Sequence, residues 1–257
     1  MGSQTKIEYV DATWNPTSGC TRMSAGCDRC FAKRISMRFH GNFNVTLHPE
    51  RLGIPLRWRK PRRILAPSTG DFFHAEVPDD FIDKILDVME RCYRHTFLTL
   101  TKRPDRMMER LLSRNETAPP IQNVWLGVSV ENQEAANQRI PVLMETPAAH
   151  RWISIEPMIA PVDLARLLLL ESHGYGWANP LQGTHPTLTA DGMRGPGLDF
   201  VVLGGETGPG ARPMDLSWAR EVRDQCKASG VPFWFKQAGG GRETPPDLMI
   251  HQFPGDE

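Results

Sequence analysis

The sequence predicts an α/β fold, a complete or partial (β/α) TIM-like barrel of parallel strands, and three observations support this prediction. After residue 63, short apolar runs of β-forming residues alternate with amphipathic helical patterns, as they do in βαβ units. Most of these runs lead directly into polar or charged residues, which is typical of the mouth of a barrel. The length of 257 residues suits one large domain. A doubly wound open sheet is the alternative.

Seven strands are predicted from the apolar runs. One lies at Ile7–Thr13, before a group of cysteines. The others come later in the chain, at Arg63–Pro67, Thr96–Thr101, Val124–Val130, Arg151–Ile155, Phe200–Leu203 and Val231–Phe235. Their apolar, β-branched and aromatic composition indicates buried strands of a parallel sheet.

Between the strands, apolar residues recur at helical spacing in residues 78–94, 104–114 and 215–229. Pro78 opens the first of these helices, and Asp215 and Gly230 are the expected N-cap and stop of the third. Cys92 and Cys226 lie on the apolar stripes of two helices. A free cysteine in such a place behaves as a small hydrophobic residue, so we expect both to belong to the core.

The chain is expected to form a single domain over residues 1–257 with three irregular parts. Residues 14–34 carry the cysteines and are predicted to form a cluster loop. Residues 172–197 are rich in Gly, Pro and His and lack periodicity, which predicts an inserted loop. The tail from Gly239 is rich in Gly and Pro and is expected to wrap the surface.

The net charge of zero hides an uneven distribution along the chain. Residues 1–63 contain twelve Lys or Arg and four Asp or Glu, a net charge of +8, so the remainder carries −8. Within them, the basic stretch at residues 51–63 holds six cations and no acid. This run suits contacts with a phosphate-bearing substrate or nucleic acid. It equally suits a solvated loop that leads into the strand at Arg63.

Three features indicate the compartment. The N-terminus carries charges where a signal peptide needs an apolar run. The longest apolar run, around Leu167–Leu170, is too short to cross a bilayer. The odd cysteine count argues against a disulfide framework and favours a reducing environment. We therefore expect a cytoplasmic protein with no membrane partner.

The clearest indication of the chain's chemistry is a group of three cysteines, Cys20, Cys27 and Cys30. They are spaced C-x6-C-x2-C in the run GCTRMSAGCDRCFA. Three close thiols without an obvious fourth suit a [4Fe–4S] cluster, because three thiolates leave one iron free to bind a small molecule. Zinc is the alternative. It prefers four ligands, and His40 is then the best local candidate for the fourth.

Acidic, basic and hydroxyl residues follow the predicted strands, where the active site of a parallel barrel forms. The residues predicted to be catalytic are Glu156, Lys102, Lys236 and Glu206. Those predicted to bind the cofactor are Asp71, Ser129, Glu131 and Phe31. The alternatives are a buried ion pair between Glu156 and Lys236, a surface turn at Lys102, a loop cap at Asp71 and a tight turn at residues 204–207.

Several blocks together resemble one protein family: WNPTSGCTRMSAGCDRCFA, STGDFFHAEVP, LTKRPDRM, NVWLGVSVENQ, ISIEPM, GGETGPGARPMD and FWFKQAGG. The resemblance, from about Lys6 to Gly240, is to the phage and bacterial three-Cys-motif proteins. These are of largely unknown function and are often encoded beside the three-Cys-motif partner protein. The resemblance implies a radical S-adenosylmethionine (SAM)-like barrel with a [4Fe–4S] cluster on the three cysteines. It also makes the three-Cys-motif partner protein a candidate binding partner of this chain.

The cysteine spacing departs from the usual radical SAM pattern, C-x3-C-x2-C with an aromatic residue before the last cysteine. Here the first gap is six residues, and Phe31 follows the last cysteine. Those enzymes place a SAM-contacting Gly-Gly-Glu after the second strand, where this chain reads STGD. Asp71 is therefore nearer to that role than Glu206, whose Gly-Gly-Glu lies late in the chain.

We interpret the chain as a radical SAM-like enzyme with a [4Fe–4S] cluster and SAM as cofactors. One-electron reduction by an external reductant would cleave SAM to a 5′-deoxyadenosyl radical, which abstracts hydrogen from a substrate. The basic N-terminal 63 residues and the phage-related family favour a nucleic acid or nucleotide as the substrate, in modification or repair.

Two other functions are compatible with the sequence. The first is a zinc- or cluster-stabilised nucleic-acid-binding module without catalysis, which acts with a partner protein. The second is a hydrolase or lyase that uses Glu156 and Glu206 as acid and base, with structural cysteines.

Overall fold

The structure is a computed structural model of the chain, and it describes residues 5–116, 118–169, 176–184 and 195–256. The chain divides into two compact units. The first comprises Met1–Gly127 and Thr146–His150, and the second comprises Val128–Glu145 and Arg151–Glu257. The prediction of a single domain stays a prediction.

The strands are β1 (Ala12–Thr13), β2 (Thr17–Ser18), β3 (Thr46–Leu47), β4 (Arg63–Ala66), β5 (Thr96–Thr99), β6 (Val124–Val130), β7 (His150–Ile155), β8 (Leu167–Leu169), β9 (Gly176–Ala178), β10 (Phe200–Gly204) and β11 (Phe233–Gln237). Seven of them form a parallel sheet in the order β1-β4-β5-β6-β7-β10-β11. All seven predicted strands are thus present.

The predicted first and last strands differ from the observed ones at their ends. The first strand is shorter than predicted because residues before Ala12 form a turn, in which Val10 N donates to Ile7 O over 3.2 Å. The last strand starts at Phe233, after Pro232, which has no N–H to donate to a ladder. It continues through Gln237, so Lys236 lies within the strand.

The helices are α1 (Phe31–His40), α2 (Asp79–Arg91), α3 (Pro104–Asn115), α4 (Gln133–Glu145) and α5 (Leu216–Ser229). The three predicted helices correspond to α2, α3 and α5. Pro78 is the N-cap residue of α2, and the Asp215 side chain caps α5 by accepting from Ser217 N at 2.8 Å. Gly230 ends α5 with φ 71°, in the left-handed region that favours glycine.

Each unit has its own aromatic core beneath the sheet. In the first unit, Trp14 packs against Phe97 with ring centroids 5.7 Å apart. In the second, Trp152 stacks on Phe200 at 6.3 Å. Every residue of β6 and β10 is buried, as expected for strands covered on both faces.

The two isolated cysteines are core residues, as predicted. Cys92 and Cys226 are both buried, and burial raises the pKa of the Cys226 thiol to about 12. Burial raises the pKa of Cys92 as well. Neither thiol is therefore expected to ionise at neutral pH.

The predicted inserted loop contains some regular structure. Within it, β9 pairs with β8 as a short antiparallel ladder, and Asn179 and Thr184 form a further bridge. Residues 172–175 and 185–194 of this segment lie outside the described residues. In the C-terminal tail, Phe235 N donates to Ile250 O at 2.9 Å, so the tail covers the edge of β11.

Across the part of the chain that the structure describes, no helix combines the length and the apolar character needed to cross a membrane.

Candidate functional site

The three cysteines lie on a loop of residues 20–30, called the cysteine loop below, which is fixed beyond the carboxyl ends of β1 and β4. β2 and β3 pair across its base, and Gly19 bridges to Gly70 in a parallel register. Gly19 has φ 83°, and a Cβ atom there would lie 1.9 Å from the carbonyl oxygen of Asn44. Only glycine fits this position, so the residue before Cys20 sets the direction in which the loop leaves the sheet.

Cys20 is held by Arg103, the residue that precedes α3. Arg103 Nη1 lies 3.2 Å from Cys20 Sγ and 2.9 Å from Asp71 Oδ2. Its second terminal nitrogen, Nη2, donates to Thr21 Oγ1 at 2.9 Å. The Arg103 and Asp71 side chains are only 10% and 6% exposed. One planar guanidinium therefore connects the first cysteine to a buried carboxylate.

Asp71, which was predicted to bind the cofactor, is hydrogen-bonded to neighbouring residues in this structure. Besides Arg103, its carboxylate accepts from Thr101 Oγ1 at 2.8 Å and from Phe73 N at 3.0 Å. Thr101 Oγ1 also accepts from Arg103 N at 2.9 Å. The arrangement fits a residue that orients Arg103, and the predicted cofactor contact stays a prediction.

His74 completes the network around Cys20. Its Nδ1 accepts from Glu76 N at 3.1 Å, so Nε2 carries the proton and donates to Thr21 Oγ1 at 2.8 Å. Burial lowers the pKa of His74, and the Arg103 charge lowers it further. The ring is therefore neutral and fixes the hydroxyl of the residue next to Cys20.

The other two cysteines lie where the loop turns into a helix. Cys27 ends a short 3₁₀ turn, and Cys30 is the N-cap of α1, with its Sγ 3.5 Å from Lys33 N. A helix N-terminus carries partial positive charge, so it would stabilise the negative charge of a metal-bound sulfur at Cys30. All three cysteines of the loop are free and partly exposed.

Burial raises the pKa of the Cys20 thiol, and the Asp71 carboxylate adds to the rise, whereas Arg103 opposes it. Without a metal, Cys20 is therefore expected to keep its proton. Since metals bind the thiolate, loading a metal there would release that proton.

The donor set of the loop fits an iron–sulfur cluster. Three free thiols lie on one segment, an arginine donates to one of them, and Ser24 Oγ between them is buried without a partner among the described residues. Each thiolate of such a cluster binds its own iron. No group of three His, Cys, Asp or Glu side chains within the described ranges is arranged around a single metal ion.

In the second unit, Glu156 is the centre of a group at the ends of β7 and β11. Lys236 Nζ lies 2.7 and 3.0 Å from its two carboxylate oxygens, and Gln237 Nε2 donates to Oε1 at 2.9 Å. Both ionic side chains keep about a quarter of their surface exposed, at 22% for Glu156 and 24% for Lys236. The pair can therefore reach a ligand, although the geometry equally suits the structural ion pair named above.

Ser129 and Glu131, predicted to bind the cofactor, have structural partners. Arg139 Nη1 lies 3.0 Å from Glu131 Oε2 and 2.7 Å from Ser129 O, and the ion pair is almost fully buried. Ser129 Oγ donates to Glu156 O at 3.4 Å. These contacts hold the end of β6 in place, and the cofactor roles stay predictions.

The tight turn that was the alternative for residues 204–207 is not formed: Glu206 lies in an irregular segment after β10, and the nearest turn is closed by Ala211 N donating to Gly208 O. Arg212 donates to its carboxylate from the backbone N at 2.8 Å and from Nε at 3.0 Å. A Cβ atom on Gly205 would lie 2.6 Å from Ala238 O, so the chain approaches β11 as closely as only glycine allows. The Glu206 carboxylate is thus committed to Arg212.

Lys102 and Phe31 complete the predicted site. Lys102 follows β5 immediately before Arg103, and Phe31 is the first residue of α1, 54% exposed. Arg103, Thr101 and Thr21 were not predicted to belong to the site. The block LTKRPDRM offers two adjacent cations, and the sequence cannot tell which one turns towards the cysteines.

The basic stretch divides between two places. Arg51 lies near the cysteine loop, where its Nη1 is 3.5 Å from Asn15 O. The cations from residue 57 onwards precede β4, at its amino end, and the Arg62 guanidinium lies 5.1 Å from the centroid of the Trp58 ring. Since the cysteine loop lies beyond the carboxyl end of β4, these later cations do not surround it.

The fold is similar to that of spore photoproduct lyase. A mutant of that enzyme with bound AdoMet (SAM) and dinucleoside spore photoproduct matches with a TM-score of 0.50 and 10% identity, over 88% of this chain and 63% of that one. A second mutant of the lyase matches with a TM-score of 0.52 and 12% identity, over 91% of this chain and 79% of that one. The likeness confirms the predicted partial (β/α) barrel of parallel strands.

No curated protein matches the chain significantly. A family model described as "Protein of unknown function (DUF5131)" matches residues 4–249, almost the whole chain. The relation to a three-Cys-motif partner protein stays a prediction. The chain belongs to the DUF5131 family.

Proposed function

We propose that the protein is a radical SAM-like iron–sulfur enzyme that acts on a nucleic acid or nucleotide. The observation that carries the proposal is the cysteine loop itself, three free thiols beyond the carboxyl ends of β1 and β4 with Arg103 bonded to Cys20. Cys20, Cys27 and Cys30 would hold a [4Fe–4S] cluster. The fold shared with a SAM-bound lyase supports this reading at the level of fold.

When bound, the cluster and SAM supply one-electron chemistry that needs an external reductant and begins with cleavage of SAM. The chain's own residues position that chemistry. Arg103 would neutralise part of the negative charge on the Cys20 thiolate, as hydrogen bonds to ligand sulfur do in such sites. The N-terminus of α1 would do the same at Cys30.

The predicted catalytic residues have different parts in this proposal. Glu156 and Lys236 form an ion pair that is partly open to solvent, so they are candidates to hold or move a proton on the substrate. Glu206 would stabilise the segment after β10 through Arg212. Lys102 would contribute positive charge beside Arg103.

The predicted cofactor-binding residues would act mostly through others. Asp71 would orient Arg103, while Ser129 and Glu131 would fix the end of β6. Phe31, exposed directly after Cys30, would cover the ligand of the cluster. Each of these roles can be distinguished from a purely structural one by substituting the residue. Both SAM cleavage and iron content are then measured in the cluster-loaded variant.

A nucleic acid or nucleotide is the substrate class that the charge favours. The N-terminal 63 residues carry a net charge of +8, which attracts polyanions. The lyase of similar fold was solved with a dinucleoside spore photoproduct. A cytoplasmic location, where cysteines stay reduced, is part of this proposal.

The cluster is tested by anaerobic reconstitution with iron and sulfide. We expect about four irons per chain and absorbance near about 400 nm from thiolate-to-iron charge transfer. Substitution of Cys20, Cys27 or Cys30 by Ala should abolish both signals. Cys92→Ala and Cys226→Ala are matched controls that should retain them, because both thiols are buried in the core. Stoichiometric zinc without visible absorbance would refute the cluster.

SAM is tested on the same reconstituted protein. We expect SAM to change the electron paramagnetic resonance spectrum of the reduced cluster, and dithionite to release 5′-deoxyadenosine. A protein that binds iron but neither responds to SAM nor cleaves it would support the nucleic-acid-binding module without catalysis.

A further inference from the structure

The cavity beside the cysteine loop has no role in the function proposed above. It encloses about 420 Å³ in the first unit and lies between α1, the β2–β3 pair and the following loop. Its polar lining residues are Asn15, Ser18, Ser36, His40, Asn42, Asn44, Thr46, His48, Arg51 and Thr69. Among the described residues, the lining includes no Asp or Glu. Amides, hydroxyls, imidazoles and one arginine suit a ligand that is anionic and rich in hydrogen-bonding groups.

Several of these groups are available to a ligand. Asn44 and the Nδ2 of Asn15 have no side-chain partner among the described residues, although Asn15 Oδ1 accepts from Ser68 N at 2.7 Å. Glu50, which is exposed and lies outside the lining, is 3.4 Å from both Arg51 Nε and His48 Nδ1. The positive charge of Arg51 is thus only partly compensated.

The helix α1, which forms one wall of this cavity, also carries exposed aromatic and basic side chains. None of the ten residues of α1, all of them described, is buried. Phe31 and Phe39 are 54% and 69% exposed, and each has an arginine guanidinium, Arg34 and Arg38 respectively, 5.7 Å from its ring centroid. With Lys33, the helix carries three Lys or Arg and no acid.

We propose that this cavity and the adjoining surface of α1 form a groove that binds a single strand of nucleic acid, with one nucleotide in the cavity and a neighbouring base stacked on Phe39. The proposal rests on the proposed function for the substrate class, and it adds the place where the strand lies. Exposed aromatic rings flanked by cations are the elements by which proteins bind single strands, because every base has a face that can stack.

Three considerations favour this occupant. Stacking requires unpaired bases, so a single strand uses the exposed ring of Phe39 whereas a duplex does not. The cations of α1 would contact the backbone phosphates on either side of the cavity. The strand would also lie directly beside Cys30, which is the N-cap of the same helix.

The proposal assigns the nucleic acid to α1 rather than to the cations at residues 57–63. Those cations lie at the amino end of β4, away from the cysteine loop. A strand bound there would not reach chemistry that starts at the cysteines.

The test measures the fluorescence anisotropy of a labelled single-stranded oligonucleotide of about 12 nucleotides with anaerobically reconstituted protein. Phe39→Ala should weaken binding by about fivefold or more through the loss of one stacked base. Arg38→Ala should flatten the slope of log affinity against log salt by about 0.7. Asn44→Asp, which adds a negative charge inside the cavity, should weaken binding at low salt.

Two controls match these variants. Tyr93 is 74% exposed with the Arg94 guanidinium 6.0 Å from its ring centroid, but it lies between α2 and the amino end of β5 rather than on α1, so Tyr93→Ala should bind as the wild type does. Arg59→Ala removes an exposed cation at the amino end of β4 and should also leave the affinity unchanged.

Unchanged binding by Phe39→Ala, Arg38→Ala and Asn44→Asp would overturn the proposal, as would wild-type protein that binds no oligonucleotide. An effect confined to Arg59→Ala would overturn it in favour of the basic stretch. These outcomes are separate from the proposed function. Binding at α1 by protein that never cleaves SAM would support the groove while refuting the enzyme.

Discussion

Arg103 shows how much of the site depends on a single side chain. It joins Cys20, Thr21 and Asp71 through two terminal nitrogens, and both its own side chain and that of Asp71 are nearly buried. A lysine carries the same charge but donates from one point, so it cannot keep the three contacts. The residue therefore has an electrostatic role at the cysteine and a structural role at the carboxylate.

Arg103→Lys should separate these two roles. We expect iron affinity of the reconstituted protein to fall by about 10- to 100-fold, the usual cost of losing a partner of a metal ligand. The fold should persist, because the charge next to Asp71 remains. Iron content under chelator competition measures the first effect and circular dichroism the second. Arg106→Lys, which changes an arginine bonded to Val77 O and Asp79, is the control expected to keep iron. Equal iron retention by both variants would contradict the role of Arg103.

Removing the guanidinium altogether should affect stability. In Arg103→Ala, Asp71 stays buried without its charge partner, for which a loss of about 3–5 kcal/mol is typical. Urea denaturation of the metal-free protein would measure it. Asp71→Asn combined with Arg103→Ala should recover part of the loss, since no buried charge then remains. A double variant no more stable than Arg103→Ala would show that the hydrogen bonds, rather than the charge, dominate.

His95 makes stability depend on pH. It is buried between Trp58 and Phe97, and burial lowers its pKa below the ordinary value. Its stabilising contribution is therefore complete above the unfolded pKa of about 6.5 and is lost as pH falls towards the folded value, since the unfolded chain then binds the proton more readily. The melting temperature should drop between about pH 7.5 and about pH 5.5. His95→Phe should show a smaller drop, and a drop as large as that of the wild type would exclude His95 as its source.

At the scale of elements, the seven strands of the parallel sheet were predicted, whereas α1, α4 and the short strands β2, β3, β8 and β9 were not. Each strand of the sheet is a short apolar run that burial on both faces requires, so composition alone finds it. α1 begins at Phe31, inside the predicted cluster loop, with Cys30 as its N-cap. Cysteine is not a usual capping residue, and no residue of this helix, which is described throughout, is buried. Phe31, Ile35 and Phe39 do recur at helical spacing, so the sequence contains one helix signal, although the cysteine motif beside it indicated a loop.

The candidate site was predictable to a similar extent. The spacing of the three cysteines marks them as a set without any structure. The partners of Glu131 and Glu206 are arginines eight and six residues further along the chain, Arg139 and Arg212. Sequence spacing does not indicate such pairings when a turn, rather than a continuous helix, brings the residues together.

Gly19 should control the direction of the cysteine loop. In Gly19→Ala, φ of 83° and the approach of Asn44 O both oppose the new methyl group. We expect a loss of stability of about 2 kcal/mol or more, together with reduced iron loading at the adjacent Cys20. Gly53→Ala is the matched control, because a Cβ atom there meets nothing within 4 Å. Urea denaturation and iron analysis of both variants test this, and equal behaviour would contradict the constraint.

At the scale of the whole molecule, the distribution of buried side chains predicts which segment depends on the cluster for its stability. The start of the cysteine loop is held by Arg103 and His74. In contrast, the segment from Cys27 through α1 to His40 buries little apolar surface. A segment with few buried contacts opens easily unless another interaction ties it down. A cluster on Cys27 and Cys30 would supply that tie.

Hydrogen exchange with and without iron therefore tests the cluster independently of activity. In reconstituted protein, amides between about Cys20 and His40 should exchange more slowly than in iron-free protein, because opening the loop then requires breaking iron–thiolate bonds. Amides of β10 and α5, in the second unit, should exchange at the same rate in both forms. Cys30→Ser should remove the difference in the loop without changing the second unit. Equal exchange of the loop in loaded and iron-free protein would mean that the cysteines hold no cluster in the folded chain.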